Sequence, residues 1–127
     1  MTIHGIGVDV VEVERVASAL TKHGGAFMAK VFTAGECRYC EGRTAPAPHF
    51  AARFAAKEAV AKAFGTGIGA RAGWRDIEVV HSPAGAPAIR LHGAAAAFAA
   101  TAGITGLLLS LSHSKAFAVA SAVAVKG

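Results

Sequence analysis

Residues 3–20, IHGIGVDVVEVERVASAL, change their apolar period part-way along. Over residues 3–10 the chain alternates, with Ile6, Val8 and Val10 on one side and Gly5, Gly7 and Asp9 on the other. That is the period of a half-buried strand, and the two glycines predict open space beside Asp9. Val13, Val16, Ala17 and Leu20 then recur at helical spacing, with His23-Gly24-Gly25 predicting the stop. Arg15 and Lys22, one heptad apart, share the outer face of this helix.

Further along, GRTAPAPH (residues 42–49) predicts a loop before a second helix over residues 50–64, which FGTGIG (64–69) ends. Strands are predicted over 76–81 and 88–91 around the turn SPAGAP, then an Ala-rich helix over 94–102 and two closing strands. In the last strand Phe117, Val119, Val123 and Val125 alternate with alanines, so one face is bulky and the other flat. A helix or a neighbouring subunit is expected against the alanine face. With no repeat, linker or boundary, residues 1–127 read as a single α+β domain with an antiparallel sheet packed with helices.

A chain of 127 residues buries roughly two-thirds of the surface it exposes unfolded, enough for a core without staples. Two cysteines make no disulfide framework, and no charged-then-apolar start follows Met1, so a cytoplasmic protein is expected. Residues 91–112 carry no Lys, Arg, Asp or Glu, yet Gly103, Thr105 and Gly106 split them into a helix and the buried strand LLLSLS, which argues against a membrane span. The formal charge of +5 favours an anionic partner. A nucleic-acid surface is disfavoured, because Trp74 and Tyr39 stand alone beside seven Phe and no element concentrates Lys and Arg. Hydrophobic residues at 54% against 17% charged leave little polar surface for a small monomer, which points to homo-oligomerisation.

Several residues have chemistry to offer, each with a plainer alternative. Asp9 in an apolar strand is either a helix N-cap or a metal ligand, since an unpaired buried carboxylate costs several kcal/mol. Glu58 and Lys62 project from one helix face, either as a surface ion pair worth roughly 0.3–0.5 kcal/mol or as part of a site leading into the Gly-rich loop. That loop is either a helix C-cap or a set of backbone donors for phosphate; it matches neither a nucleotide P-loop nor a dinucleotide fingerprint. His113, between Ser112 and Ser114, reads more commonly as a structural histidine held by those hydroxyls than as a functional one. The other histidines show no metal spacing, and Cys37 and Cys40 read as two unremarkable thiols.

Two segments, GIGVDVVEVERV (5–16) and RFAAKEAVAKAFGTGIG (53–69), resemble the signature pair of holo-acyl-carrier-protein synthases within the 4′-phosphopantetheinyl transferases. SLSHSKAFAVA (110–120) is similar to that family's closing segment, and the three cover about a third of the chain in the expected order. The resemblance implies transfer of the phosphopantetheine arm from coenzyme A to a serine of an apo acyl carrier protein. It implies Asp9 and Glu58 as magnesium ligands, with Glu58 a candidate base, and Lys62 on phosphate. Gly65, Thr66, Gly67 and His113 would line the coenzyme A site, with Arg15, and Lys22 beside it, meeting the acidic carrier. It further implies a homotrimer with the cofactor cleft at the subunit boundary. The loop ECRYCEGRTAPAPH (36–49) has no counterpart in that pattern, although Arg43 is within reach of an anionic cofactor. Val11 stands where larger relatives place a second acid. A carrier-binding module without activity is disfavoured by the presence of Asp9, Glu58 and Lys62 together.

Overall fold

The computed structural model describes residues Met1–Gly127. β1 (Thr2–Glu12) passes directly into α1 (Val13–Val31), followed by α2 (Ala34–Glu41) and α3 (Pro46–Phe64). A short 3-10 turn (Trp74–Asp76) leads into the hairpin of β2 (Ile77–His81) and β3 (Pro87–Leu91). α4 (Gly93–Ala102), β4 (Ile104–His113) and β5 (Phe117–Lys126) close the chain. The antiparallel sheet has the order β1-β5-β4, so the last strand lies in its middle. The α+β reading with an antiparallel sheet holds. Residues 91–112 split as expected between α4 and β4 at Gly103, and no helix is long and apolar enough to cross a membrane.

Three local expectations are corrected. α1 does not stop at Gly24-Gly25: Gly24 adopts φ 46° and ψ −120°, a kink that glycine tolerates, and the helix resumes because Phe27, Met28 and Val31 still pack on the core. The segment expected as loop from residue 36 begins with a helix. There Thr33 and Glu36 form a reciprocal capping box, with Thr33 Oγ1 accepting from the Glu36 N–H and Glu36 Oε1 from the Thr33 N–H. α3 starts at Pro46, four residues early, since proline fits a first helical turn whose N–H groups have no partner.

The larger correction concerns which side of β1 is buried. Ile6, Val8 and Val10 are 72%, 57% and 61% exposed, while the glycine side faces α3. A Cβ built at Gly7 would overlap the Ala59 carbonyl oxygen, and one at Gly5 that of Ala63. The space predicted beside the glycines is therefore filled by helix backbone. Ala118, Ala120, Ala122 and Ala124 of β5 are buried on the same face, so the helix expected against the alanines is α3 of this same chain. Small residues on both partners let the two backbones approach, and the bulky residues turn outward.

Gly7→Ala should therefore cost about 3 kcal/mol or more, because backbone on both sides cannot give way as a side-chain end would. Urea unfolding checks this; an unchanged midpoint would mean the contact is looser than described.

Candidate functional site

Asp9 is the next inward residue after Gly7 on β1, and Glu58 and Lys62 lie on the α3 turns flanking Ala59. Lys62 Nζ donates to Asp9 Oδ1 at 3.1 Å and to the Val8 carbonyl at 3.0 Å. The Asp9 side chain is 18% exposed and that of Lys62 50%, so the pair sits at a rim. Burial, reinforced by the Asp9 charge and opposed by Lys62, holds the Glu58 carboxyl above its usual range. The structure thus brings Asp9, Glu58 and Lys62 together. The plainer readings lapse: the α1 N-cap is Glu12, three residues past Asp9, and the ion-pair partner of Lys62 is Asp9, with Glu58 in no ion pair.

No group of three or more His, Cys, Asp or Glu side chains is arranged to hold a metal. Two neighbouring carboxylates, with Asp9 raising the cost of ionising Glu58, are still a fitting donor set for magnesium, which takes one or two carboxylates and completes its shell with water and phosphate oxygens.

The Gly-rich loop behaves first as a helix cap. Gly65 is left-handed (φ 85°), and the N–H groups of Gly65, Thr66 and Gly67 are bonded to the carbonyls of Lys62 and Ala61. The Gly69 N–H goes to Ala72, and Thr66 Oγ1 donates to the Gly67 carbonyl. Of the two readings, the cap is the one these bonds make: the N–H groups of Gly65, Thr66 and Gly67 close the end of α3.

His113 lies elsewhere. It ends β4, and β5 separates it from β1, so one chain does not bring it to Asp9. No hydrogen bond joins it to Ser112 or Ser114; Ser114 Oγ instead accepts from the Ala116 and Phe117 N–H groups. His113 meets His49 edge-on at 4.9 Å across a cleft of about 380 Å³ that Arg53, Tyr39 and His81 also line, without any carboxylate. The Arg43 and Arg53 guanidinium carbons each lie 4.2 Å from the Tyr39 ring centroid, and His81 stacks on that ring. Arg53 is 3% exposed and reaches His81 Nε2 and the His49 carbonyl, yet its Nε has no partner. Burial first, then His113 and Arg53, lower the His49 pKa. Two guanidiniums gathered on one ring, one of them with an unpartnered buried donor, make this cleft fit for an anion. Arg53 escaped sequence reasoning because, five residues before Glu58, it shares no face with that residue; its presence in RFAAKEA was the only signal.

Arg15 and Lys22 are exposed and in no ion pair, and Arg15 borders a small apolar hollow with Val16, Phe27 and Phe54. Cys40 is fully buried and its thiol is pushed up to about 12 by desolvation, so the CxxC pair acts in packing.

A family model described as the 4′-phosphopantetheinyl transferase superfamily matches residues 5–120 of this chain. The chain belongs to that superfamily. It is 50% identical over 123 residues to a holo-[acyl-carrier-protein] synthase of Desulforudis audaxviator, covering 97% of this chain and 93% of that one. The crystal structure of the holo-[acyl-carrier-protein] synthase of Neisseria meningitidis superposes with a TM-score of 0.91 at 35% identity, over 98% of this chain and 99% of that one. The Helicobacter pylori enzyme in complex with coenzyme A gives 0.84 at 30% identity, over 94% and 99%.

Glu58→Gln should stabilise the metal-free protein at neutral pH. The folded carboxyl keeps its proton to higher pH than the unfolded one, so its ionisation penalty is present above the folded value. It is relieved as pH falls through that value, and is gone below the ordinary range near 4.5. Thermal midpoints with chelator present should favour the variant at pH 7 and converge in acid; equal midpoints at pH 7 would count against the carboxylate pair.

Proposed function

We propose that the chain transfers the 4′-phosphopantetheine group from coenzyme A to a serine of an apo acyl carrier protein. The products are holo acyl carrier protein and adenosine 3′,5′-bisphosphate. The observation that carries this reading is the meeting of Asp9, Glu58 and Lys62 from two separate motifs in a member of this superfamily. The names of its relatives support it.

Asp9 and Glu58 would hold magnesium, which when bound neutralises charge on the diphosphate oxygens. Lys62, half-exposed, is able to turn from Asp9 toward phosphate. Glu58 takes the proton from the carrier serine hydroxyl, a role suited to a carboxylate of raised basicity. The serine oxygen forms its bond to phosphorus as the diphosphate bond breaks and adenosine 3′,5′-bisphosphate leaves. No nucleophile of the enzyme is needed, so positioning and charge are the main contributions. Arg15, with Lys22 beside it, offers the acidic carrier a free cationic face one helical turn from the strand that holds Asp9.

We read the assembly as a homotrimer with coenzyme A at the boundary between copies. The carboxylates and Lys62 would come from one copy, and the His113 cleft, with Arg53 on an anionic group of the cofactor, from another. Two features support this: β5 separates the two half-sites within one chain, and Ile6, Val8, Val10, Leu108 and Phe117 form an uncovered apolar sheet face. A cytoplasmic location fits the two unpaired thiols.

Incubated with coenzyme A, magnesium and an apo carrier protein, the enzyme should add the mass of one phosphopantetheine to the carrier. Asp9→Ala should slow this by roughly a hundredfold or more while leaving the fold intact. An unmodified carrier would overturn the reaction, and a fully active Asp9→Ala the metal assignment. Light scattering should give three times the 12.8 kDa chain mass; a monomer at micromolar concentration would exclude the shared cleft.

A further inference from the structure

Lys57, the residue before Glu58, is fully buried, and so is its partner Glu36. The ammonium donates to Glu36 Oε1 at 2.7 Å, to the Trp74 carbonyl at 2.9 Å and to the Ile77 carbonyl at 2.6 Å, which uses all three of its protons. Glu36 is equally engaged: Oε1 also accepts the Thr33 N–H at 2.9 Å and Oε2 the Val79 N–H at 2.7 Å. One ion pair thus ties α3 to the start of α2, to the 3-10 turn and to β2. None of these bonds touches the Asp9 cluster.

Stability is a weak explanation for such a pair. Desolvating two charges offsets most of their attraction, and apolar substitutes of similar volume are often as stable or better. Directionality explains it. Seven of the twelve buried residues of α3 are alanine, and the aromatic ones, Phe50 and Phe64, lie towards its two ends, so its middle turns offer few bulky side chains to lock rotation or sliding. On the β1 side the glycine contacts block a closer approach, and the directional ties are the half-exposed Lys62 to Asp9 and the Val8 carbonyl and His4 Nε2 to the Phe64 carbonyl, which leaves the buried pair as the anchor of the other side. Each residue along a helix turns by about 100° and rises about 1.5 Å, so a small slip of α3 would carry the Glu58 carboxyl away from Asp9.

We propose that the Glu36–Lys57 pair is a positioning device for Glu58, fixing the rotation and height of α3 so that Glu58 and Asp9 present their oxygens to one divalent cation. This rests on the metal reading above. Lys57 itself touches neither substrate nor metal; it acts through the helix.

The test uses Mn²⁺ as the probe, with binding to the full chain followed by loss of the free-ion electron paramagnetic resonance signal. Wild type, Lys57→Met, Glu36→Gln and Asp9→Ala are compared, with circular dichroism reporting the folded fraction. For folded Lys57→Met, Mn²⁺ affinity should fall by roughly tenfold or more, as when groups behind metal ligands are removed. Turnover should recover at high magnesium, and the Michaelis constant for the carrier should stay within about twofold, since Arg15 lies on another element. Glu36→Gln, which keeps the shape but only one of the two acceptor oxygens, should show the same shift and serves if Lys57→Met does not fold. Unchanged Mn²⁺ affinity in a folded variant overturns the inference alone. If neither variant folds, the pair is a stability element and the inference falls. Wild type binding Mn²⁺ no better than Asp9→Ala would overturn the metal reading itself, and this inference with it.

Discussion

Everything in this molecule is arranged around the contact of one strand backbone with one helix backbone. Gly5 and Gly7 leave no room for side chains between β1 and α3, and the carbonyl oxygens of Ala63 and Ala59 fill the places where Cβ atoms would be. The alanine face of β5 continues the same flat floor beneath the helix. Because Asp9 follows Gly7 on that face and Glu58 and Lys62 flank Ala59, the closure of the core and the assembly of the polar cluster are one event. The bulky residues of β1 face outward for the same reason.

Charge is distributed unevenly over this frame. The two carboxylates gather at one edge of α3, with a single lysine beside them, while Arg43, Arg53 and three histidines gather around Tyr39 near its start. The net charge of +5 is therefore not a uniform coat. Composition alone cannot express this division.

Much of this was legible in the sequence, and the failures have physical causes. The switch of period after Val10 located β1 and α1, and spacing with family resemblance singled out Asp9, Glu58 and Lys62, which the fold brings together. The buried side of β1 was not legible, because alternation is symmetric: it separates two faces without saying which meets the core, and glycine faces look empty until a helix is known to need them. α2 was missed since CRYCE has no apolar period; its signal was the capping box in TAGE. Glu36 and Lys57 were not singled out, for nothing local marks two ions 21 residues apart as partners. The Gly-rich loop was ambiguous between cap and cradle, and backbone bonding decided that its donors belong to the helix end.

The strand order has one more consequence. β5 is the last element of the chain and also the middle strand of its sheet, pairing on one side with β1, the first element made. β1 and β4 therefore have no strand partner until β5 has been made, although α3 is already present to cover the glycine side of β1. Pairing of β1 with β5 is thus a closure between segments far apart in sequence, which is entropically slow. Nascent chains of this protein pass through an interval of exposed, unpaired strand in which aggregation competes with folding. Truncations that remove β5 should leave β1 and β4 unpaired, with the β2–β3 hairpin as the remaining sheet.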